Sequence, residues 1–254
     1  MRSRSNRSSP WKFFSYVAEE SQDGWVVSLP SDDGKGLLLT PSGAKYQLVE
    51  IGSGTFVTAY EIVENGFVLI EVHDVDGRQM DYTKTLLSQI LQEGHQSPYL
   101  PQIVYAGDTS NSQLFMMPKY KVPLTKSKKT AEAYRLSEVL RNCAEEATNR
   151  VFQQNKSLKR GWEKKVREET LSCLLSQDLP HALTDALHVI SEYADLYSQH
   201  ALFEFPERNL GTDSAGNLIL LDVLFDNDAA WAVQDLGRSN GMPNIVRALE
   251  GLLL

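Results

Sequence analysis

The sequence predicts an α+β fold in two parts, an antiparallel sheet carrying one helix and then a minimal helical part, and three observations carry that expectation. Residues 25 to 72 alternate apolar and polar positions in short runs, separated by Asp-Gly, Ser-Gly and Asn-Gly steps. That is the pattern of half-buried strands joined by tight turns. From Thr130 onward the apolar spacing changes to three and four, as amphipathic helices require. A polar loop and a short hairpin then interrupt the helices after Ala201.

Each element has its own warrant. The strands are WVVSL at 25 to 29, GLLL at 36 to 39, YQLVEI at 46 to 51, TAYEIV at 58 to 63 and GFVLIEV at 66 to 72. MDYTKTLLSQILQEG at 80 to 94 spaces Met80, Leu86, Leu87, Ile90 and Leu91 helically and places Gly94 where a C-cap belongs. Two further strands follow, QIVYAG at 102 to 107 and QLFMMPKY at 113 to 120. Leu136, Leu140, Cys143, Ala147 and Val151 stripe a first helix of the second part, and Trp162, Val166 and Leu174 mark the next. Leu183, Leu187, Ile190, Ala194, Tyr197 and Ala201 mark a third, which Pro180 can start. ALFEFPERNLGTDSAGNLILLDVLFD then reads as a loop and a hairpin, its turn at Ser214 to Asn217 and LILLDVLF its return strand. Two short helices complete the reading, near 229 to 236 and 244 to 253.

Composition narrows the function classes. With 254 residues, 42% hydrophobic and 23% charged, the chain can bury a core as one large domain or as two lobes. We divide it into a disordered head at 1 to 10, a strand-rich part at 11 to 120 and a helical part at 121 to 254. No run approaches the roughly 18 apolar residues that span a membrane, and MRSRSNRSSPWKFF has no apolar stretch suited to a secretory signal. A cytoplasmic protein is expected. The net charge of -8 argues against a general nucleic-acid binder. KYKVPLTKSKK at 119 to 129 and KSLKRGWEKKVR at 156 to 167 are nevertheless basic, either as solvated faces or as a docking surface for an acidic partner. Cys143 and Cys173 are too few for a disulfide framework, and the five histidines form no cluster with metal-ligand spacing.

LVEIGSGTFVTAYEIV, residues 48 to 63, sets a strand on either side of a glycine turn. Such a turn is either a plain hairpin or a cradle whose backbone N–H groups can approach phosphate oxygens. The decision comes from further along the chain. Glu204, Asn209 and Asp222 set a carboxylate, an amide five residues later and a second carboxylate beyond the hairpin. Together with the order of elements, this resembles the protein-kinase-like fold, and most closely the early serine/threonine protein kinases of short-tailed bacteriophages. The resemblance covers roughly residues 45 to 230.

The resemblance implies that ATP and Mg²⁺ (or Mn²⁺) are bound. Gly52, Ser53, Gly54, Thr55 and Phe56 would cover the phosphates, and the backbone around Met117 to Tyr120 would meet the adenine. Asn209 and Asp222 would hold the metal, and Glu204 would accept or orient the hydroxyl proton. A Ser or Thr of a protein substrate would receive the γ-phosphoryl group, in the host cytoplasm if the source is a phage. The sequence departs from the family pattern at three places. Glu71 stands where the strand lysine belongs, Glu204 where the catalytic aspartate belongs, and Leu202 where the histidine before it belongs. No clear activation loop or APE motif follows Asp222. Lys84 on the predicted helix could pair with Glu71 in a charge-swapped ion pair, or be solvated, and Lys45 is a weaker source of the missing positive charge. Two alternatives therefore stand beside an active kinase: a pseudokinase that binds a nucleotide or a partner protein, and a small-molecule or nucleotidyl phosphotransferase on the same fold.

Overall fold

The computed structural model describes residues 12–13, 26–28, 36–40, 42–53, 57–73, 97–108, 112–154, 162–197 and 200–226. The chain divides into two compact units: Met1–Gln96 with Leu100–Lys121, and Ser97–Tyr99 with Val122–Leu254. The fold is mixed α+β. The predicted helices at 80–94, 229–236 and 244–253, with Gly54, Thr55, Phe56 and Lys84, lie outside the described residues.

In the first unit, eight antiparallel strands form one sheet. They are β1 (Lys12–Phe13), β2 (Val26–Ser28), β3 (Gly36–Leu39), β4 (Lys45–Ser53), β5 (Val57–Ile62), β6 (Phe67–His73), β7 (Tyr105–Asp108) and β8 (Ser112–Pro118). Neighbours follow chain order as far as β6, after which β8 pairs with β6 and β7 takes the edge. β1 is a strand that the sequence reading did not place. The alternation read from sequence is physical in β5, where Thr58, Tyr60 and Ile62 are buried and the residues between them are half-exposed. Val27, Leu38, Leu48, Tyr60, Ile62, Leu69, Leu114 and Met116 pack into one cluster, so residues of β2, β3, β4, β5, β6 and β8 share a core. Between Glu50 and Gly52 the pairing of β4 with β5 slips, the irregularity that bends a strand just before the glycine turn.

The second unit is built on α1 (Ala131–Gln154), α2 (Trp162–Leu175) and α3 (His181–Tyr197). Leu136, Leu140, Cys143, Ala147 and Val151 are all buried, as are Val166, Leu174, Leu183, Leu187, Ile190 and Ala194. Phe152 and Trp162 pack ring to ring across the 155–161 connection, 5.0 Å between centroids. The Pro180 carbonyl accepts the N–H groups of Leu183 and Thr184, opening α3 where the proline predicted it.

Four expectations are corrected here. Ala201 does not continue the helical stripe; it opens strand β9 (Ala201–Phe203). The return strand LILLDVLF is two strands, β11 (Leu218–Leu220) and β12 (Leu224–Asp226), because Leu221 to Val223 turn away from the ladder that pairs β11 with β10 (Leu210–Thr212). β12 pairs instead with β9. Cys143 and Cys173, read as too few for a framework, join α1 to α2 as a disulfide with their Cα atoms 5.6 Å apart. Such a bridge is unusual in the reducing cytoplasm expected from the sequence. Finally, the basic run at 156 to 167 is not uniformly a solvated face, since Arg167 at its end is fully buried.

Candidate functional site

Residues 201 to 226 form a knot of short strands whose loops converge. β9 carries the chain into Glu204, whose N–H donates to the Val223 carbonyl at 2.9 Å. Phe203 and Phe205 are buried on either side of Glu204 and their rings stack, 5.6 Å between centroids. A 3-10 turn at Glu207–Asn209 then leads into β10. The Asn209 carbonyl accepts the N–H groups of Leu221 at 3.1 Å and Asp222 at 3.2 Å, which draws the end of the hairpin back to the loop. Its side-chain Nδ2 donates to Glu204 Oε2 at 3.4 Å. Asn209 is thereby bonded to both Glu204 and Asp222, and two further hydrogen bonds, from Leu221 to Asn209 and from Glu204 to Val223, hold the same loops together.

The electrostatics of Glu204 suit proton acceptance. Burial pushes its carboxyl above the ordinary glutamate range, and Arg208 and the Asn209 amide pull only part of the way back. Arg208 Nη2, four residues further along the chain, reaches Glu204 Oε1 at 3.3 Å. Asp222 is exposed. Asn209 engages Glu204 through its amide nitrogen, and its Oδ1, like the carboxylate oxygens of Asp222, is of the hard type that Mg²⁺ accepts. Among the described residues no group of three or more His, Cys, Asp or Glu side chains could hold a metal by itself. Mg²⁺ bound through one or two protein oxygens with substrate phosphates needs no such group.

The hairpin that spaces these residues is set by Asp213. Its Oδ1 accepts the N–H groups of Ala215 and Asn217, each at 2.8 Å, and its Oδ2 accepts Asn217 Nδ2 at 2.8 Å. Burial raises this carboxyl, but the hydrogen bonds from Asn217, Ala215 and Gly216 outweigh it and hold it below the ordinary aspartate range. Gly216 sits at φ +94, and a Cβ there would press on the Lys129 carbonyl oxygen.

The first unit holds the other predicted residues. Gly52 and Ser53 end β4 on an exposed stretch, and Ser53 Oγ lies 3.2 Å from Thr58 Oγ1 across the turn. A Cβ built on Gly52 meets no atom of the described residues within 4 Å, so nothing in their packing demands glycine there. Glu71 is buried, and Tyr60 Oη donates to it at 2.8 Å and Ser112 Oγ at 2.9 Å. Lys45 opens β4 and Ser53 closes it, nine strand residues that span roughly 26 Å. That separation removes Lys45 as a charge for the glycine turn. Met117 is buried in β8 opposite Val68, and Tyr120 Oη accepts the Gln102 N–H at 2.8 Å.

The sequence reading missed Tyr60 and Ser112 as partners of Glu71, Arg208 as the partner of Glu204, and Arg141, whose Nη1 reaches Glu207 Oε1 at 3.3 Å. Arg208 had a signal, its place four residues after Glu204. Tyr60 had one too, since it stands on the strand that the Asn-Gly turn pairs with the strand of Glu71, whereas Ser112 and Arg141 had none, because their partners are distant in sequence.

No protein-family model matches the chain, and no curated protein matches it significantly. The class defined by fold and site is therefore the coarse one, a mixed α+β chain whose second unit gathers a carboxylate pair and an amide. Among the described residues no helix is long and apolar enough to cross a membrane.

Proposed function

We propose that this chain is a divergent protein kinase, of a two-lobed protein-kinase-like fold, that transfers the γ-phosphoryl group of ATP to Ser or Thr hydroxyls of protein substrates. The observation that carries the reading is the knot joining Glu204, Asn209 and Asp222 through the Asn209 carbonyl and amide. Phosphoryl transfer demands positioning and charge neutralisation more than covalent chemistry from the protein. This knot supplies groups for both. Asn209 and Asp222 would hold Mg²⁺ or Mn²⁺, which when bound neutralises phosphate charge. Glu204, its carboxyl raised by burial, orients the acceptor hydroxyl and takes its proton better than an ordinary glutamate would. Gly52 and Ser53 are exposed at the end of β4, where the family's glycine loop would cover the phosphates. The protein substrate, acidic if the basic run at 119 to 129 serves it, would be met in the cytoplasm.

One observation favours a second reading, a pseudokinase that binds a nucleotide or a partner protein without transfer. At the strand position where the family carries lysine, Glu71 is a buried carboxylate supported by two hydroxyl donors. A carboxylate in that place repels phosphate.

The deciding experiment incubates the purified protein with ATP labelled on the γ-phosphate, Mg²⁺ or Mn²⁺ and a mixed bacterial lysate, beside Asp222→Ala. Label entering protein with the wild type and disappearing with Asp222→Ala supports the kinase. Absence of label from both, with Mg²⁺-ATP still bound by the wild type in a separate titration, leaves the pseudokinase or a phosphotransferase acting on small molecules or nucleotides, which a substrate screen separates.

A further inference from the structure

Arg167 is a fully buried side chain, and its charge must be met inside the protein. Its Nη1 donates to the Ala201 carbonyl and its Nη2 to Asp195 Oδ1, so one guanidinium of α2 joins α3 to the first residue of β9. The fork geometry of arginine makes two such bonds in different directions at once, which an ammonium on a lysine stem does poorly. The same helix touches the chain one residue earlier, where His200 Nδ1 lies 3.6 Å from Glu163 Oε2. Asp195 is held from α2 a second time by Lys164, at 3.6 Å. β9 is only three residues long and, among the described residues, is paired along its length with β12 alone. Glu204 follows it directly.

We propose that Arg167 is a positioning residue for Glu204: by holding the Ala201 carbonyl against α2 it sets where the short strand β9 delivers the Glu204 carboxylate. This rests on the kinase reading above for its functional consequence, and on geometry alone for its structural one. A three-residue strand cannot fix its own position through one ladder, because each backbone hydrogen bond contributes little net free energy. A buried charged bond at its start supplies the missing restraint. The restraint then passes along the strand to the N–H of Glu204, which is bonded to Val223.

The test compares Arg167→Met with Leu174→Ala by amide hydrogen exchange and by kinetics. Arg167→Met removes both donors without burying a charge, and Asp195 keeps Lys164 and solvent. Leu174→Ala opens a cavity in the same helix without touching the bond. With Arg167→Met, the Glu204 N–H is expected to exchange at least tenfold faster relative to the Leu220 N–H, and kcat for phosphoryl transfer to fall about tenfold with KM for ATP within twofold. Leu174→Ala should speed both amides in proportion. If the two variants behave alike, or Arg167→Met leaves the ratio unchanged, Arg167 is merely structural and the proposal is overturned. Should Arg167→Met not fold, Arg167→Lys is read by the same ratio. Should the wild type transfer no phosphoryl group, the kinase reading fails while the exchange ratio still decides the positioning.

Discussion

Glu204 concentrates the chemistry of the site in one side chain, and its raised carboxyl has two measurable consequences. If the chain is the kinase proposed above, Glu204→Gln keeps the shape and removes proton acceptance, so transfer should fall on the order of 100-fold, read as kcat with ATP saturating. Stability should move the other way. A carboxyl raised by folding stabilises the fold below the ordinary glutamate range and loses that contribution as pH rises through its folded value. At pH 7 the ionised group therefore opposes the fold, and Glu204→Gln should unfold at a higher urea concentration than the wild type. Near pH 4 the two midpoints should converge, and a constant difference across pH would show that burial of Glu204 is not the cause. The spacing from Glu204 to Asn209 and on to Asp222 was legible in the sequence because loop and hairpin lengths are local properties. Ser112 as a partner of Glu71 was not legible, since it stands 41 residues away and reaches it only through the pairing of β6 with β8.

At the scale of elements, the β10–β11 hairpin and the α1–α2 pair hold the knot in shape. Gly216 occupies a left-handed conformation directly against the Lys129 carbonyl. Gly216→Ala should cost on the order of 2 kcal/mol, combining backbone strain with that contact, and chemical denaturation would measure it. Gly52→Ala, which meets no atom of the described residues, should leave stability almost unchanged. The Cys143–Cys173 bridge closes a loop of 30 residues. Chain-entropy reasoning gives it about 3.6 kcal/mol, so a reductant should lower the unfolding midpoint of the wild type and leave Cys143→Ser unmoved. Helix stripes and strand alternation were readable because each repeats within a few residues. The division of LILLDVLF into two strands was not, because an unbroken apolar run carries no mark of which partner each part will choose.

For the whole molecule, ligand binding and stability are linked. If Mg²⁺-ATP binds the folded chain, a concentration 100 times its Kd should stabilise it by about 2.7 kcal/mol, seen as a rise in Tm that Asp222→Ala abolishes. No rise with the wild type would remove both nucleotide readings at once. The sequence by itself determined the α+β class, the order of the elements from β2 to β8 and from α1 to α3, and the spacing of the candidate site. Those are written in periodicity and turn chemistry, which act between neighbours. Only the tertiary structure decided that Arg167 is buried on the Ala201 carbonyl, that two lone cysteines meet, and that Glu71 is lodged between two hydroxyls. A charge or a thiol read in sequence is assigned to solvent by default. Which of them is taken into the interior depends on contacts between segments far apart in the chain, and only packing brings those together.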